Sequence, residues 1–374
     1  MKYVDEFRDG GVAQALVGMI EAEADAQRDY RLMEFCGGHT HAIFRFGIHD
    51  LMPENVTFIH GPGCPVCVLP AGRIEAMIQL LEREKNLILC TYADLMRVPA
   101  EKGDSLQKAK ARGADIRMVY SVTDALGVAQ ANKEKQVIFF AIGFETTTPP
   151  SAVVLKIAKG MGLKNFTLYC NHVQTVPAMA HLLGSSDASM QLKVDGILGP
   201  SHVSTVIGSD AYAACCAQYR MPMVVAGFEP LDVLLSSLML IRQINANRTE
   251  VENQYSRAVT AKGNSKAQAL MGEVFEVRAE FEWRGLGVLP ESALQIREAY
   301  ADFDTERRFA MDSIQVEENR GCICPVVLRG EKTPQQCPLF ATLCTPENPK
   351  GACMVSSEGA CAAYYAFGRY RSDV

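Results

Sequence analysis

Eight short apolar or β-branched runs, each followed by a polar turn and a stretch of helical periodicity, occupy the first two thirds of this 374-residue chain. They cover 31–35, 56–59, 86–90, 116–120, 136–142, 166–170, 196–198 and 223–226. Strands that alternate with helices build parallel sheets covered on both faces. The expected fold class is α/β, with two similar open parallel-sheet domains in preference to one closed barrel. The polar segment 131–135 is the expected seam. On this reading 1–30 is a helix packing on the body, 31–132 a first α/β domain, 133–247 a second, and 248–374 a helical and cysteine-rich module. A short echo, Gly143-Phe144-Glu145-Thr146 against Gly227-Phe228-Glu229-Pro230, follows one run in each half and suits two related domains.

In open parallel sheets ligands bind beyond the carboxyl ends of the strands, so the turns after the runs belong together. One of them is His60-Gly61-Pro62-Gly63-Cys64-Pro65-Val66-Cys67, a C-x-x-C pair between a strand and a helical segment over 70–83. Thiols at a helix amino end feel unpaired N–H groups and the positive end of the dipole, which favour thiolate. Such a pair exchanges disulfides or binds soft metals; the plainer alternative is two small apolar residues filling a turn. The other turns are Cys36-Gly37-Gly38-His39-Thr40-His41, 91–94, 143–148, Cys170-Asn171-His172, Gly199-Pro200-Ser201-His202-Val203-Ser204 and 227–230. None is a Walker A loop or a G-x-G-x-x-G fingerprint. Trp283-Arg284-Gly285-Leu286-Gly287 reads as a structural turn.

Composition narrows the classes. A net charge of −6, with both signs interspersed and no basic stripe, argues against nucleic-acid binding. The amino terminus is acidic where a secretory signal would be apolar, and the longest apolar stretch, 231–241, contains Asp232 and two serines, so no membrane span is expected and the location expected is cytoplasmic. Thirteen cysteines in a reducing compartment are then metal ligands, redox thiols or buried small residues.

Six of the thirteen fall between Cys322 and Cys361, a segment with prolines and glycines and little apolar periodicity, which is hard to order by burial alone. It contains no histidine, its spacings are irregular, and Cys337-Pro338 is a step common in ferredoxin-like runs, so an iron–sulfur cluster fits better than zinc. Ser356-Ser357-Glu358-Gly359 is expected to cap a closing helix with Cys361 in its first turn. At Cys36, the two following glycines leave space beside the thiol for a metal or another protein's group, and His39 is placed to ligate, to shuttle a proton or to set the thiolate charge; the plainer alternative is a glycine turn with surface histidines. Glu145 and Glu229 are expected to end two strands of one sheet as a general base or a metal's outer shell, or else to bind helix amino ends. His172 and His202 carry the same alternatives.

Cys36-Gly-Gly-His-Thr-His41, Gly61-Pro-Gly-Cys-Pro-Val-Cys67, Gly143-Phe-Glu-Thr-Thr147, Ala226-Gly-Phe-Glu-Pro230, and Cys337-Pro-Leu-Phe340 with Ser356-Ser-Glu-Gly-Ala-Cys361 resemble, in order along nearly the whole chain, the motifs of the HypD family of nickel–iron hydrogenase maturation proteins. The resemblance implies two Rossmann-like α/β domains, a 4Fe-4S module, and a role in assembling iron that bears two cyanides and one carbon monoxide. It implies a small chaperone, HypC, as partner, and HypE with HypF as the source of cyanide. It places the iron on Cys36 together with a HypC cysteine, a second functional group at His39, a redox pair at Cys64 and Cys67, and the cluster on Cys324, Cys337, Cys344 and Cys361. Cys322 and Cys353 fall outside that pattern. Where the family has Pro-Gly-His-Val-Ser, this chain has Ser201, which adds a Cβ beside His202. The expected function is thus a scaffold and redox protein whose dithiol and cluster supply electrons to iron held at Cys36, rather than a metabolic enzyme. The competing readings from spacing alone are an iron–sulfur thiol–disulfide reductase, which has no need of the CGGHTH turn, and a non-catalytic metal-binding scaffold.

Overall fold

The computed structural model describes residues 4–184, 192–317 and 319–368, so the first three residues of the acidic amino terminus and the last six of the cysteine-rich module lie outside it. All eight expected strands form, each within two residues of its run: β1 Tyr30–Glu34, β2 Val56–His60, β3 Leu87–Thr91, β4 Ile116–Met118, β5 Gln136–Gly143, β6 Phe166–His172, β7 Gly196–Pro200 and β8 Met223–Ala226. Three more follow: β9 Val251–Asn253, β10 Phe275–Trp283 and β11 Gly287–Ile296. Segments such as Leu87–Thr91 are buried at every position, as expected of strands with helices on both faces.

Among the described residues the strands make two open parallel sheets and a hairpin, with no closed barrel. One sheet has the order β2-β1-β7-β8-β9, the other β4-β3-β5-β6, and β10 pairs antiparallel with β11. The sheets are not consecutive halves of the chain. β1 pairs with β2 on one side and with β7 on the other, Leu32 opposite Gly196, so the chain leaves the first sheet after β2, builds the whole second sheet, and returns. Segment 131–135, the expected seam, lies between β4 and β5 inside the four-stranded sheet. Local pattern specifies a strand but not its partner, which explains the difference. Glu145 and Glu229 accordingly follow strands of two different sheets, β5 and β8, and not of one.

Helices cover both sheets. Gly10–Glu23 packs on Pro230–Asn245, the long helix after β8, and Arg242 clamps Glu23 through Nη2 at 2.6 Å. The apolar stretch 231–241 thus lies inside the largely buried 16-residue helix Pro230–Asn245, and among the described residues no helix is long and apolar enough to cross a membrane. Beyond 245, where helical patterns over 251–259 and 266–274 make the module's start read as helical, Ser265–Val274 is a helix but 251–259 opens with β9 and continues in turns. The hairpin β10–β11 was not expected. It docks on the end of β6, with the backbone N–H of Gln174 donating to Ser292 O at 2.8 Å. Arg73 of helix Ala71–Arg83 and Arg278 of β10 both grip Glu306, at 2.6 and 2.7 Å, which ties the hairpin to the body.

Candidate functional site

The carboxyl ends of the strands in both sheets open on one cleft of about 510 Å³. Five of the seven turns read together from the sequence line it: Cys36 after β1, Gly63 with Pro65 and Val66 after β2, Tyr92 to Asp94 after β3, Gly143, Phe144, Thr146 and Thr147 after β5, and Pro200 with His202 and Val203 after β7. The turns 170–172 and 227–230 do not. Residues of the distant carboxy-terminal module, Ser356, Ser357 and Glu358, complete the wall.

Cys36 stands at the entry to helix Gly37–Arg45, 7% exposed, its backbone N–H donating to Glu34 Oε2 at 2.9 Å. Glu34 is fully buried and also accepts from the Thr40 hydroxyl and from His60 Nδ1 at 2.9 Å, so one carboxylate pins the turn to both β1 and β2. The two glycines after Cys36, expected to leave open space beside the thiol, instead allow close packing. A Cβ on Gly37 would lie 2.5 Å from Glu358 Cβ, and one on Gly38 2.6 Å from the Phe228 ring. Burial pushes the Cys36 thiol strongly up, and the carboxylates of Glu358 and Glu34 push it further, against hydrogen bonds from Gly38 and His39. It therefore carries its proton at neutral pH unless a cation displaces it.

His39 is fully buried and is not among the residues lining the cleft. Its Nε2 lies 2.9 Å from Ala226 O and 3.1 Å from Gly227 O, two acceptors that fix the proton on that nitrogen, and burial lowers its pKa to about 4. It joins the turn after β1 to the end of β8 as a neutral ring. His202 does line the cleft, its ring tilted at 43° against Phe228 with centroids 4.1 Å apart. Ser201, the family departure, is fully buried and outside the lining. His172 is buried against Ser151 Oγ at 2.9 Å.

Both glutamates serve helix starts. Glu145, buried, accepts from the backbone N–H of Thr175 at 2.8 Å, the first residue of helix Thr175–Gly184, and from that residue's hydroxyl. Glu229 is the N-cap residue of helix Pro230–Asn245 and is gripped by Arg8. Neither lines the cleft.

The C-x-x-C turn interlocks with the Cys36 turn: Gly37 N–H donates to Gly63 O at 3.3 Å, and a Cβ on Gly63 would lie 2.4 Å from Cys36 N. Cys64 caps the four-residue helix Pro65–Val68, its Sγ accepting from Cys67 N–H at 3.3 Å. The expected thiolate at Cys67 is corrected by burial, which pushes that thiol well up; a single helical turn has too small a dipole to compete.

Cys322, Cys324, Cys337, Cys344 and Cys361 line a second, small cavity walled by Ile323, Leu339, Phe340 and Met354. Gly351 is its floor, where a Cβ would lie 2.5 Å from Cys322 Sγ and 2.7 Å from Cys324 Sγ. Cys361 is in the first turn of helix Ala360–Ala363 as expected, though Gly359 is the N-cap residue and no side chain caps it. Cys353, left outside the sequence pattern, is fully buried at the centre of the array. Thiol hydrogen bonds from Cys324, Cys361 and Cys67 hold it below the usual thiol range. All thirteen cysteines are unbridged. Among the described residues no three His, Cys, Asp or Glu side chains are gathered as they are around a single metal ion.

Sequence reasoning missed Glu34, Cys353 and Glu358 as parts of this arrangement. Glu34 carried a signal, an acid inside an apolar strand two residues before the thiol; Glu358 carried none beyond the cap reading.

The family model HypD, described as the hydrogenase formation hypA family, matches residues 11–368. The chain is 61% identical over 375 residues to the hydrogenase maturation factor HypD of Azotobacter vinelandii, covering all of this chain and 99% of that protein. It is 55% identical over 373 residues to that of Cupriavidus necator and 46% identical over 378 residues to that of Escherichia coli, covering at least 98% of each.

Proposed function

Since the chain belongs to the HypD family of hydrogenase maturation factors, we propose that it assembles the iron of nickel–iron hydrogenases that carries two cyanides and one carbon monoxide, anchoring that iron at Cys36. The observation that carries the reading is continuity. From the cleft inward, the Cys36 turn locks into the Cys64–Cys67 turn, Cys67 touches Cys353, and Cys353 touches Cys324 and Cys361 of the thiol cavity.

The iron is cargo. Its arrival at Cys36 releases the thiol proton and creates the thiolate that a soft, strong-field iron centre prefers. Glu34 fixes the backbone that presents the sulfur, and His39, neutral, fixes the turn against β8. A HypC-type chaperone would supply a second thiolate from the open side of the cleft, and HypE, loaded through HypF, the cyanide. Cys64 and Cys67 can give two electrons and two protons by closing a disulfide, with Cys353 the neighbouring thiol.

The thiol cavity fits a 4Fe-4S cluster by its donors: thiols alone, apolar walls, and a glycine floor that a side chain would fill. Cys324, Cys337, Cys344 and Cys361 would hold it, with Cys322 the competitor of Cys324 for the first position; single Cys→Ser changes with iron counted per chain decide between them. Such a cluster supplies electrons one at a time when bound.

The test is an infrared spectrum of the protein purified without oxygen from cells that also make HypC. Bands of metal-bound cyanide and carbonyl that vanish in Cys36→Ala are expected. Their absence from a sample with full iron content and bound HypC would shift the reading to a thiol–disulfide reductase.

A further inference from the structure

The turn after β3 sends one cation out of the cleft wall into the cysteine-rich segment. Thr91 ends the strand, Tyr92 to Asp94 line the cleft, and the single helical turn Asp94–Arg97 follows, anchored by the fully buried Leu95. Arg97 closes that turn. Its Nη1 donates to Pro346 O at 3.0 Å and its Nη2 to Val355 O at 2.8 Å, with Asp94 Oδ1 3.5 Å from the same Nη2. The two carbonyls belong to different parts of the segment. Pro346 lies two residues after Cys344; Val355 lies two after Cys353 and directly before Ser356 to Glu358 of the cleft wall.

The Arg97 side chain is 36% exposed, so water screens its charge. What it contributes is shape. A guanidinium is a rigid planar fork that can hold two carbonyls at once, whereas an ammonium is a point charge on a flexible stem. The loop that it grips needs holding: residues 341–343, 347 and 348 are exposed, and the loop closes on itself through Asn348 N–H to Thr345 O at 3.0 Å. Its return places the backbone N–H of Lys350 on Cys344 Sγ at 3.3 Å. A hydrogen bond to a cluster sulfur raises the reduction potential by stabilising the more negative, reduced state.

We propose that Arg97 is a positioning residue for both cavities: it pins the loop after Cys344 so that the Lys350 amide stays on that sulfur, and it pins Val355 so that Ser356 to Glu358 stay against the Cys36 turn. This rests on the reading of 322–361 as a cluster site. Without the fork the loop relaxes outward, the bond from Lys350 N–H to the sulfur lengthens, and a cluster held there becomes harder to reduce.

The experiment uses the full chain, purified and reconstituted without oxygen, with iron and sulfide counted and the cluster titrated with dithionite and mediators under electron paramagnetic resonance. Arg97→Gln is expected to keep its iron and to shift the reduction equilibrium about tenfold toward the oxidised state, about 59 mV for one electron. Arg97→Lys keeps the charge and loses the fork, and is expected to shift the same way by more than threefold. Iodoacetamide should alkylate Cys36 at least threefold faster in both variants, read by peptide mapping. An Arg97→Lys equilibrium within threefold of the parent overturns the proposal, whether Arg97→Gln shifts, stays or fails to fold, because the charge alone then suffices. Cys36 no more reactive in either variant overturns it as well. A parent chain that takes up no iron in these cysteines overturns the cluster reading first, and shows as missing iron, while the alkylation of Cys36 still tests the clamp.

Discussion

Gly63→Ala adds one methyl group at the point where the iron-anchoring turn and the dithiol turn interlock. The new Cβ would lie 2.4 Å from Cys36 N, 2.5 Å from Cys36 Cα and 2.6 Å from Phe35 C, all backbone atoms, where ordinary contact begins at 3.4 Å. No rotamer relieves it, so one turn must retreat by about 1 Å. Overpacking against backbone falls at the upper end of its usual cost, about 3 kcal/mol. The retreat also strains the hydrogen bond from Gly37 N–H to Gly63 O, adding about 1 kcal/mol. Urea unfolding should therefore show a chain destabilised by about 3–4 kcal/mol, and iodoacetamide should alkylate Cys36 faster as its cover loosens. Gly127→Ala is the control: it lies exposed inside helix Val122–Ala131 with nothing within 4 Å of its Cβ, and should gain about 0.5–1 kcal/mol. A Gly63→Ala chain within 0.5 kcal/mol of the parent, with Cys36 no more reactive, would refute the interlock.

Two further expectations follow from buried charge and thiols. Burial pushes Glu306 up, but Arg73 and Arg278 outweigh it and hold the carboxyl at about 2 instead of 4.5, worth about 3 kcal/mol of stability that is complete above pH 4.5 and is lost as pH falls through 2; Glu306→Gln should remove it, so that parent and variant differ at pH 7 and converge only below about pH 2 in urea titrations. Mild oxidation with diamide should yield Cys67–Cys353 alongside Cys64–Cys67 in peptide maps of the parent, and only the latter in Cys353→Ala; absence of the first species would refute the contact between those thiols.

The strands of both parallel sheets except β9 were legible because burial on both faces writes continuous apolar runs into the chain, as in 87–91. β9 was not, being three residues with a charge at its centre. The hairpin left a readable trace that helix-like neighbours obscured: in Phe275-Glu-Val-Arg-Ala-Glu-Phe-Glu-Trp283 charges occupy every second position, the pattern of a strand with one wet face. Sheet order was illegible for a different reason. The pairing of β1 with β7 joins residues more than 160 apart, and the long-range fit that selects it leaves no mark on either run.

The site was legible as a set of turns and illegible as a connection between them. Read along the chain, 322–361 looks like a module that carries its own cofactor and could be considered alone. In the fold, the six residues Ser356 to Cys361 serve two cavities at once: Glu358 walls the cleft and presses on Gly37 beside Cys36, Gly359 sits against Cys67 Sγ, and Cys361 faces the thiol cavity. A glycine that seemed to make room for a ligand makes room for that segment instead. Because interiors transmit small displacements and do not absorb them, a side chain at position 37 would push Glu358 and with it the start of the helix that carries Cys361. The cleft and the thiol cavity are therefore one mechanical unit, and neither can be shaped independently of the other.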